Sequence, residues 1–147
     1  MHDVDFVYHL FGLPKAVSSR GYSKDTGEID HVSTQYLYDG GPTLVTAEGA
    51  WGMADGFGFR MQFNVNFDRA TAEFEFGRET PLVVYADGKT QKIEPTHNGY
   101  VGEMRYLVGC IGKGERPTRV TAEDAVTGLR IIEAERQSAL TGQRVEL

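Results

Sequence analysis

The residue types best suited to acid–base chemistry stand together at the start of the sequence. His2, Asp3 and Asp5 lie within the first five residues, and His2 and Asp5 share a face of any helix formed there, because residues three apart are neighbours. An imidazole titrates near neutral pH, so His2 could exchange a proton while Asp5 orients the ring. The alternative is a helix start, since acidic residues in a first turn stabilise the helix dipole. Composition and spacing alone favour the helix start.

Two aromatic side chains are further candidates for ligand contact. Trp51 begins a glycine-broken aromatic loop that extends to Phe59, and its indole could stack on a sugar ring. A hairpin with buried aromatic side chains is the favoured alternative for this loop. Tyr100 follows His97 and Asn98, a polar stretch that is typical of a loop leading into a helix.

Metal, dinucleotide and covalent chemistry have little support in the sequence. The four histidines are dispersed and Cys110 is the single cysteine, whereas a zinc site usually has three or four ligands. No G-x-G-x-x-G follows a predicted strand, and neither a Walker motif nor a G-x-S-x-G elbow occurs. We therefore expect no metal and no cofactor-binding residues in this chain, and we expect Cys110 in the core.

Charge and hydropathy restrict the partners. The chain has 147 residues with 15 basic and 21 acidic side chains, a net charge of −6, so neither a nucleic acid nor an anionic membrane is expected to bind. No window approaches the run of about 20 apolar residues that a membrane span requires. The start of the sequence lacks a secretory signal. We expect a cytoplasmic location, and export of a longer parent protein stays open.

Hydrophobic periodicity predicts a helix, a series of strands and two further helices. The first helix covers 2–11 and ends at Gly12 and Pro14. The strands are expected at 15–22, 29–38, 43–51, 57–67, 71–76, 82–86 and 90–93, and Asp87-Gly88 predicts a two-residue hairpin turn between the last two. The later helices are expected at 100–111, with Gly112 after it, and from a capping box at Thr121–Asp124 to about Gly142, with a short strand in the tail.

Segment 57–67 has the clearest alternation in the sequence. Phe63 and Val65 fall on one face and Asn64 and Asn66 on the other, so the first face is predicted to be core and the second polar. The polar face could be solvated or could lie against a second subunit; its other members are Arg60, Gln62, Glu73 and Glu75. The element order predicts a single α+β domain over 1–147, with a large open, mostly antiparallel sheet and helices packed on one face.

The order of motifs resembles that of one oxidoreductase family. The opening from His2 to Val17 resembles the segment H-x-x-D-x-x-x-x-L-x-G-x-P-x-x-V. That segment opens the C-terminal half of the Gfo/Idh/MocA oxidoreductases, the family of glucose–fructose oxidoreductase and inositol dehydrogenase. Four later matches are in the same order as in the family: Tyr100-x-x-Glu103, Cys110-Ile111-x-x-Gly114-x-x-Pro117, Thr121-x-x-Asp124-Ala125 and Ser138-x-x-Thr141-Gly142.

The resemblance implies the second domain of such an enzyme, with a dihydrodipicolinate-reductase-like fold and without the N-terminal Rossmann domain that binds NAD or NADP. It implies that His2 is the catalytic histidine, which accepts the substrate hydroxyl proton while hydride passes to the nicotinamide. Asp5, Trp51 and Tyr100 are then candidate substrate contacts. The implied substrate is a sugar, cyclitol or related polyol, and the implied assembly is a homodimer through the exposed sheet face. We expect the chain by itself to be inactive.

A stand-alone binding or oligomerisation module that has lost catalysis is the second interpretation. The family's glycine-rich loop, its Glu-Lys-Pro segment and the aspartate four residues before the catalytic histidine are missing from this sequence. The position of His2 favours the enzyme domain, because a natural boundary is expected in a linker rather than within a helix.

Overall fold

The computed structural model describes residues 1–96 and 98–147, and it divides into two compact units. Unit 1 consists of Met1–Ala54 and Pro117–Leu147, and unit 2 of Asp55–Arg116. The described elements are α1 (His2–Phe11), β1 (Ala16–Tyr22), β2 (His31–Leu37), β3 (Val45–Ala50), β4 (Gln62–Asn66), β5 (Ala70–Glu75), β6 (Leu82–Ala86), β7 (Lys89–Ile93), α2 (Gly99–Lys113), α3 (Ala122–Thr141) and β8 (Val145–Glu146). This is the order that the sequence predicts.

Unit 1 contains a four-stranded antiparallel sheet, sheet A, in the order β3-β2-β1-β8. Helix α3 packs along β1, and α1 packs against both β3 and α3. Val17, Tyr36 and Val45 align across the first three strands, so their side chains share the face beneath the helices. These three residues form the core together with Val4, Val7, Ile131 and Ala134.

Helix α3 buries a different stripe from the one that its most apolar residues indicate. Val126 and Leu129 are 49% and 54% exposed. Ile131, Ala134 and Glu135 are buried instead, on the side that faces sheet A. The orientation of α3 therefore buries the carboxyl group of Glu135 in unit 1 and leaves the apolar side chains of Val126 and Leu129 exposed to solvent.

The helix ends follow from local chemistry. Thr121 accepts a hydrogen bond from the Asp124 backbone N–H, and the Asp124 carboxylate accepts one from the Thr121 backbone N–H, so the predicted capping box is confirmed. Helix α2 begins after Asn98, whose side chain accepts a hydrogen bond from a first-turn N–H. It ends at Gly114, with φ 67°, two residues beyond the expected Gly112, because the left-handed position that stops the helix falls there.

Unit 2 contains a second four-stranded antiparallel sheet, sheet B, in the order β4-β5-β6-β7. The α+β class is confirmed, and the described strands form two hydrogen-bonded sheets where the sequence indicated one broad sheet. Strand β4 begins only at Gln62, because Gly56 and Gly58 adopt φ values of 86° and 75° and interrupt the extended chain upstream. The Asp87-Gly88 hairpin is confirmed, with φ values of 50° and 68°.

The predicted alternation of β4 is confirmed, but its apolar face is only partly covered. Phe63 pairs with Phe74, and their rings stack with centroids 5.2 Å apart. Both side chains are half-buried. Phe67 and Phe76, at the ends of the same face, are 61% and 57% exposed. The apolar face is therefore a core only at its centre.

Candidate active site on unit 1

Helix α1 presents His2 at its exposed first turn. Buried Val4 and Val7 fix the rotation of the helix against sheet A, and they leave His2 and Asp5 in solvent. The backbone N–H of Asp5 donates to the Met1 carbonyl at 2.9 Å, so the first turn is closed. An accessible imidazole at a helix end can exchange a proton with a bound ligand.

Asp3, rather than Asp5, faces sheet A. Its carboxylate oxygen Oδ2 lies 3.7 Å from the point that a Cβ on Gly49 would occupy. Burial raises the pKa of both Tyr36 and Glu135, and the charge of Asp3 adds to each rise. Spacing could not distinguish the two aspartates, because only the buried valines decide which side of the helix faces the strands.

Trp51 directly follows β3, and a backbone hydrogen bond holds it to the neighbouring strand segment. Its backbone N–H donates to the Asp30 carbonyl at 2.9 Å, which continues the β2–β3 register by one pair. Its side chain is 92% exposed, so the interpretation as a hairpin with buried aromatic side chains is wrong for this residue. Trp51 follows Gly49 by two positions and therefore shares the side of the strand on which Asp3 lies.

A hydrogen-bonded loop stands at this end of sheet A. The Asp30 carboxylate accepts hydrogen bonds from the backbone N–H groups of Lys24 and Asp25, both at 2.7 Å, and from that of Thr26 at 3.1 Å. The Thr26 hydroxyl donates to it at 2.6 Å, and these bonds hold the pKa of Asp30 well below its usual range. Lys24 Nζ then donates to the Gly52 carbonyl at 2.7 Å, which ties the loop to the turn after Trp51. Sequence reasoning did not identify this support for Trp51.

Tyr100 belongs to unit 2. Its side chain is 82% exposed near the start of α2, beside an apolar hollow of about 490 Å³ that Met104 and Val108 also line. The preceding His97 lies outside the described residues. Cys110 is buried on the same helix, as expected. The structure therefore places His2, Asp5 and Trp51 on unit 1, and Tyr100 on unit 2.

The described residues do not fit a nicotinamide dinucleotide. A dinucleotide phosphate binds where a glycine-rich turn opens a helix at its positive N-terminal end. Gly56 and Gly58 lead into a strand, and Gly112 and Gly114 stand at the C-terminal end of α2. Within residues 1–96 and 98–147, no cluster of three or more His, Cys, Asp or Glu side chains could hold a metal ion. In the same part of the chain, no helix has the length and apolar character to cross a membrane.

Comparison with solved structures identifies the fold. The aldose-aldose oxidoreductase of Caulobacter crescentus superimposes with a TM-score of 0.76 at 22% identity, over 99% of this chain and 45% of that chain. The UDP-N-acetylglucosamine 3-dehydrogenase of Acidithiobacillus ferrooxidans gives 0.71 at 18% identity, over 95% of this chain and 44% of that chain. This chain has the fold of a Gfo/Idh/MocA-type oxidoreductase domain. The resemblance inferred from the motifs is thereby confirmed at the level of fold.

The chain spans about half the length of these oxidoreductases. No protein-family model matches the sequence, and no curated protein matches it. At this level of identity the likeness establishes the fold alone.

Proposed function

We propose that the chain is the substrate-binding and oligomerisation domain of an NAD(P)-dependent oxidoreductase that acts on a sugar, cyclitol or related polyol. The observation that carries the proposal is the fold match, which covers 95–99% of this chain and about half of each oxidoreductase. The motif order beginning at His2 supports the same assignment.

Within this proposal, His2 accepts the proton of the substrate hydroxyl, because an imidazole is the usual general base near neutral pH. Trp51 offers an exposed aromatic face to the C–H groups of the sugar ring. Asp3, on the same side of sheet A, is placed to accept a hydrogen bond from a neighbouring hydroxyl. Since the described residues do not fit a dinucleotide, the proposal assigns the cofactor, and the choice between NAD and NADP, to another part of the enzyme.

Ligand binding can be followed through Trp51, which is the only tryptophan in the sequence. We would titrate the chain with glucose, myo-inositol and UDP-N-acetylglucosamine while recording tryptophan emission and its quenching by iodide. A saturable blue shift with reduced quenching by one of these compounds supports the proposal. Trp51→Phe, tested by ligand-detected NMR, should weaken that binding, while Tyr22→Phe on the opposite face should not. Unchanged emission and no NMR binding across the panel contradict the substrate assignment.

The gene provides an independent test of the enzyme assignment. An in-frame sequence upstream of the Met1 codon that encodes a G-x-G-x-x-G strand–helix start and a Glu-Lys-Pro segment supports a dehydrogenase. A stop codon followed by a ribosome-binding site there contradicts it and favours the stand-alone module.

We also propose that the protein forms a homodimer through sheet B. The apolar face exposes Phe67 and Phe76, and apolar area removed from water contributes about 25 cal/mol per Å². The opposite face has compensated charges, since Arg78 donates to Glu73 at 2.9 Å and also to Glu75. This difference favours the apolar face as the interface, in place of the polar face that was expected from the sequence.

Sedimentation equilibrium should give twice the chain mass of 16.3 kDa. Phe67→Ser should shift the dimer toward monomer, while Asn64→Ser on the polar face should leave the mass unchanged. A mass of 16.3 kDa at every concentration, or equal loss in both variants, contradicts this interface.

A further inference from the structure

Glu135 occupies an unexpected place for a carboxyl group. It is 7% exposed on the sheet-facing side of α3, between the buried residues Ile131, Ala134 and Ser138. A buried charge is expensive unless hydrogen bonds compensate it, and a well-packed apolar side chain at such a position is often at least as stabilising. Packing alone therefore does not account for a glutamate here.

The partners of Glu135 come from the neighbouring strand β2. The hydroxyl of Tyr36, which is 3% exposed, donates to Glu135 Oε1 at 2.5 Å. Thr34 stands two positions before Tyr36 on β2 and is also buried on this face. The Thr34 hydroxyl is in turn 2.8 Å from that of Ser19 on β1. Ser19 donates its backbone N–H to Ser138 Oγ at 2.8 Å, so a buried polar network of two sets of contacts, Tyr36 with Glu135 and Thr34 with Ser19 and Ser138, connects β2 and β1 to α3.

The first turn of α1 lies over this network. Val4 and Val7 of α1 belong to the same core cluster as Tyr36. The charge of Asp3 acts on Tyr36 and on Glu135, and the charge of the Met1 amino group acts on Glu135. The carboxyl group of Glu135 is thus the buried group beneath the helix end that carries His2.

We propose that Glu135, held by Tyr36, is a positioning residue that fixes the first turn of α1 and through it the orientation of His2. The carboxyl group holds the Tyr36 ring in place in the core that also contains Val4 and Val7 of α1. The importance of Glu135 for catalysis rests on the proposed function. Its effect on the position of the first turn of α1 does not depend on that function.

The proposal can be tested by NMR on the labelled 147-residue chain without any assay of activity. Glu135→Leu and Tyr36→Phe should each accelerate amide hydrogen exchange at Asp5 by about fivefold to tenfold, as expected for the loss of one buried hydrogen bond. Both should shift the ring signals of His2. Glu135→Gln retains an oxygen that can accept from Tyr36 and should restore the wild-type values.

His9 is the matched control, because it lies at the other end of the same helix. Its ring signals and the amides of the last turn should remain unchanged. Equal changes in the ring signals of His9 and His2 would show general loosening of α1 and would overturn the positioning role. Tyr36→Phe preserves the ring packing, so unchanged His2 ring signals and unchanged Asp5 amide exchange in this variant would also overturn it. A failure to detect ligand binding, or a gene that encodes no cofactor domain upstream, would contradict the proposed function. Neither result would change the outcome of these NMR measurements.

Discussion

The Thr26 hydroxyl donates a hydrogen bond to the Asp30 carboxylate at 2.6 Å, and the Asp30 carbonyl accepts one from the backbone of Trp51. One residue thus organises its own loop and anchors the exposed indole. Trp51, the most exposed aromatic side chain of unit 1, is therefore attached to a backbone that hydrogen bonds hold in place.

We predict that Asp30→Ala loosens Trp51. The variant removes the acceptor of three backbone N–H groups and one hydroxyl, so the steady-state anisotropy of the tryptophan emission should fall. Because the folded-state pKa of Asp30 is lowered, its stabilisation is present above the unfolded value near 3.8 and is lost as the pH falls through the folded value. The wild-type anisotropy should therefore fall toward that of Asp30→Asn only in strongly acidic solution, while the anisotropy of Asp30→Asn should not follow this titration. Ser23→Ala, which changes an exposed side chain of the same loop, is the control; an equal effect there would refute the prediction.

A second prediction concerns the loss of stability as the pH rises above the unfolded-state pKa of Glu135. Burial raises the pKa of Glu135, so its contribution is fully present below the unfolded value near 4.5 and is lost as the pH rises through the folded pKa. Glu135→Gln should gain stability relative to wild type between pH 5 and pH 8, measured by urea unfolding. Glu133→Gln, exposed on the same helix, should show no such gain. Parallel wild-type and Glu135→Gln curves would disprove the assignment.

Two glycine substitutions in unit 2 should have opposite signs. Gly88→Ala places a Cβ at φ 68° in the β6–β7 turn and should destabilise unit 2 by about 1–2 kcal/mol. Gly112→Ala lies within α2, where an added Cβ meets no atom within 4 Å, and should stabilise it by up to about 1 kcal/mol. Chemical denaturation of both variants measures the difference. Changes of the same sign would contradict the described backbone.

We predict that NADH titrated into this chain gives no saturable change in nicotinamide fluorescence. The reason is that the described glycine turns do not open a helix toward a phosphate. A micromolar Kd would show that the chain carries a cofactor site of its own. This α+β domain would then be a complete binding unit for NADH.

Local chemistry explains which parts of this structure were predictable. The ends of α1, the Thr121 capping box and the Asp87-Gly88 hairpin depend on residues close together in sequence, and all are found as predicted. The upstream limit of β4 was not, because the left-handed conformation of Gly58 becomes evident only in the folded chain.

Hydrophobic periodicity could not predict the buried polar network around Glu135. A glutamate in an amphipathic helix is normally assigned to the solvent face, and only the pairing of α3 with sheet A reveals Tyr36 as the partner of Glu135. Packing also decides which of Asp3 and Asp5 faces sheet A, so spacing could not show it. Sequence patterns report how apolar a position is, whereas these assignments depend on long-range packing.

The chain order of the two units has a consequence for folding. Sheet B joins strands that follow one another, so its contacts are local, whereas β1 must find β8 across nearly the whole sequence. Local pairing forms faster, and closing a long loop costs entropy that grows with its length. Unit 2 should therefore fold early and shorten the effective loop between the two halves of unit 1. A substitution that stabilises the β6–β7 turn of sheet B would then accelerate the pairing of β1 with β8 in sheet A, although the substituted residue is not part of sheet A.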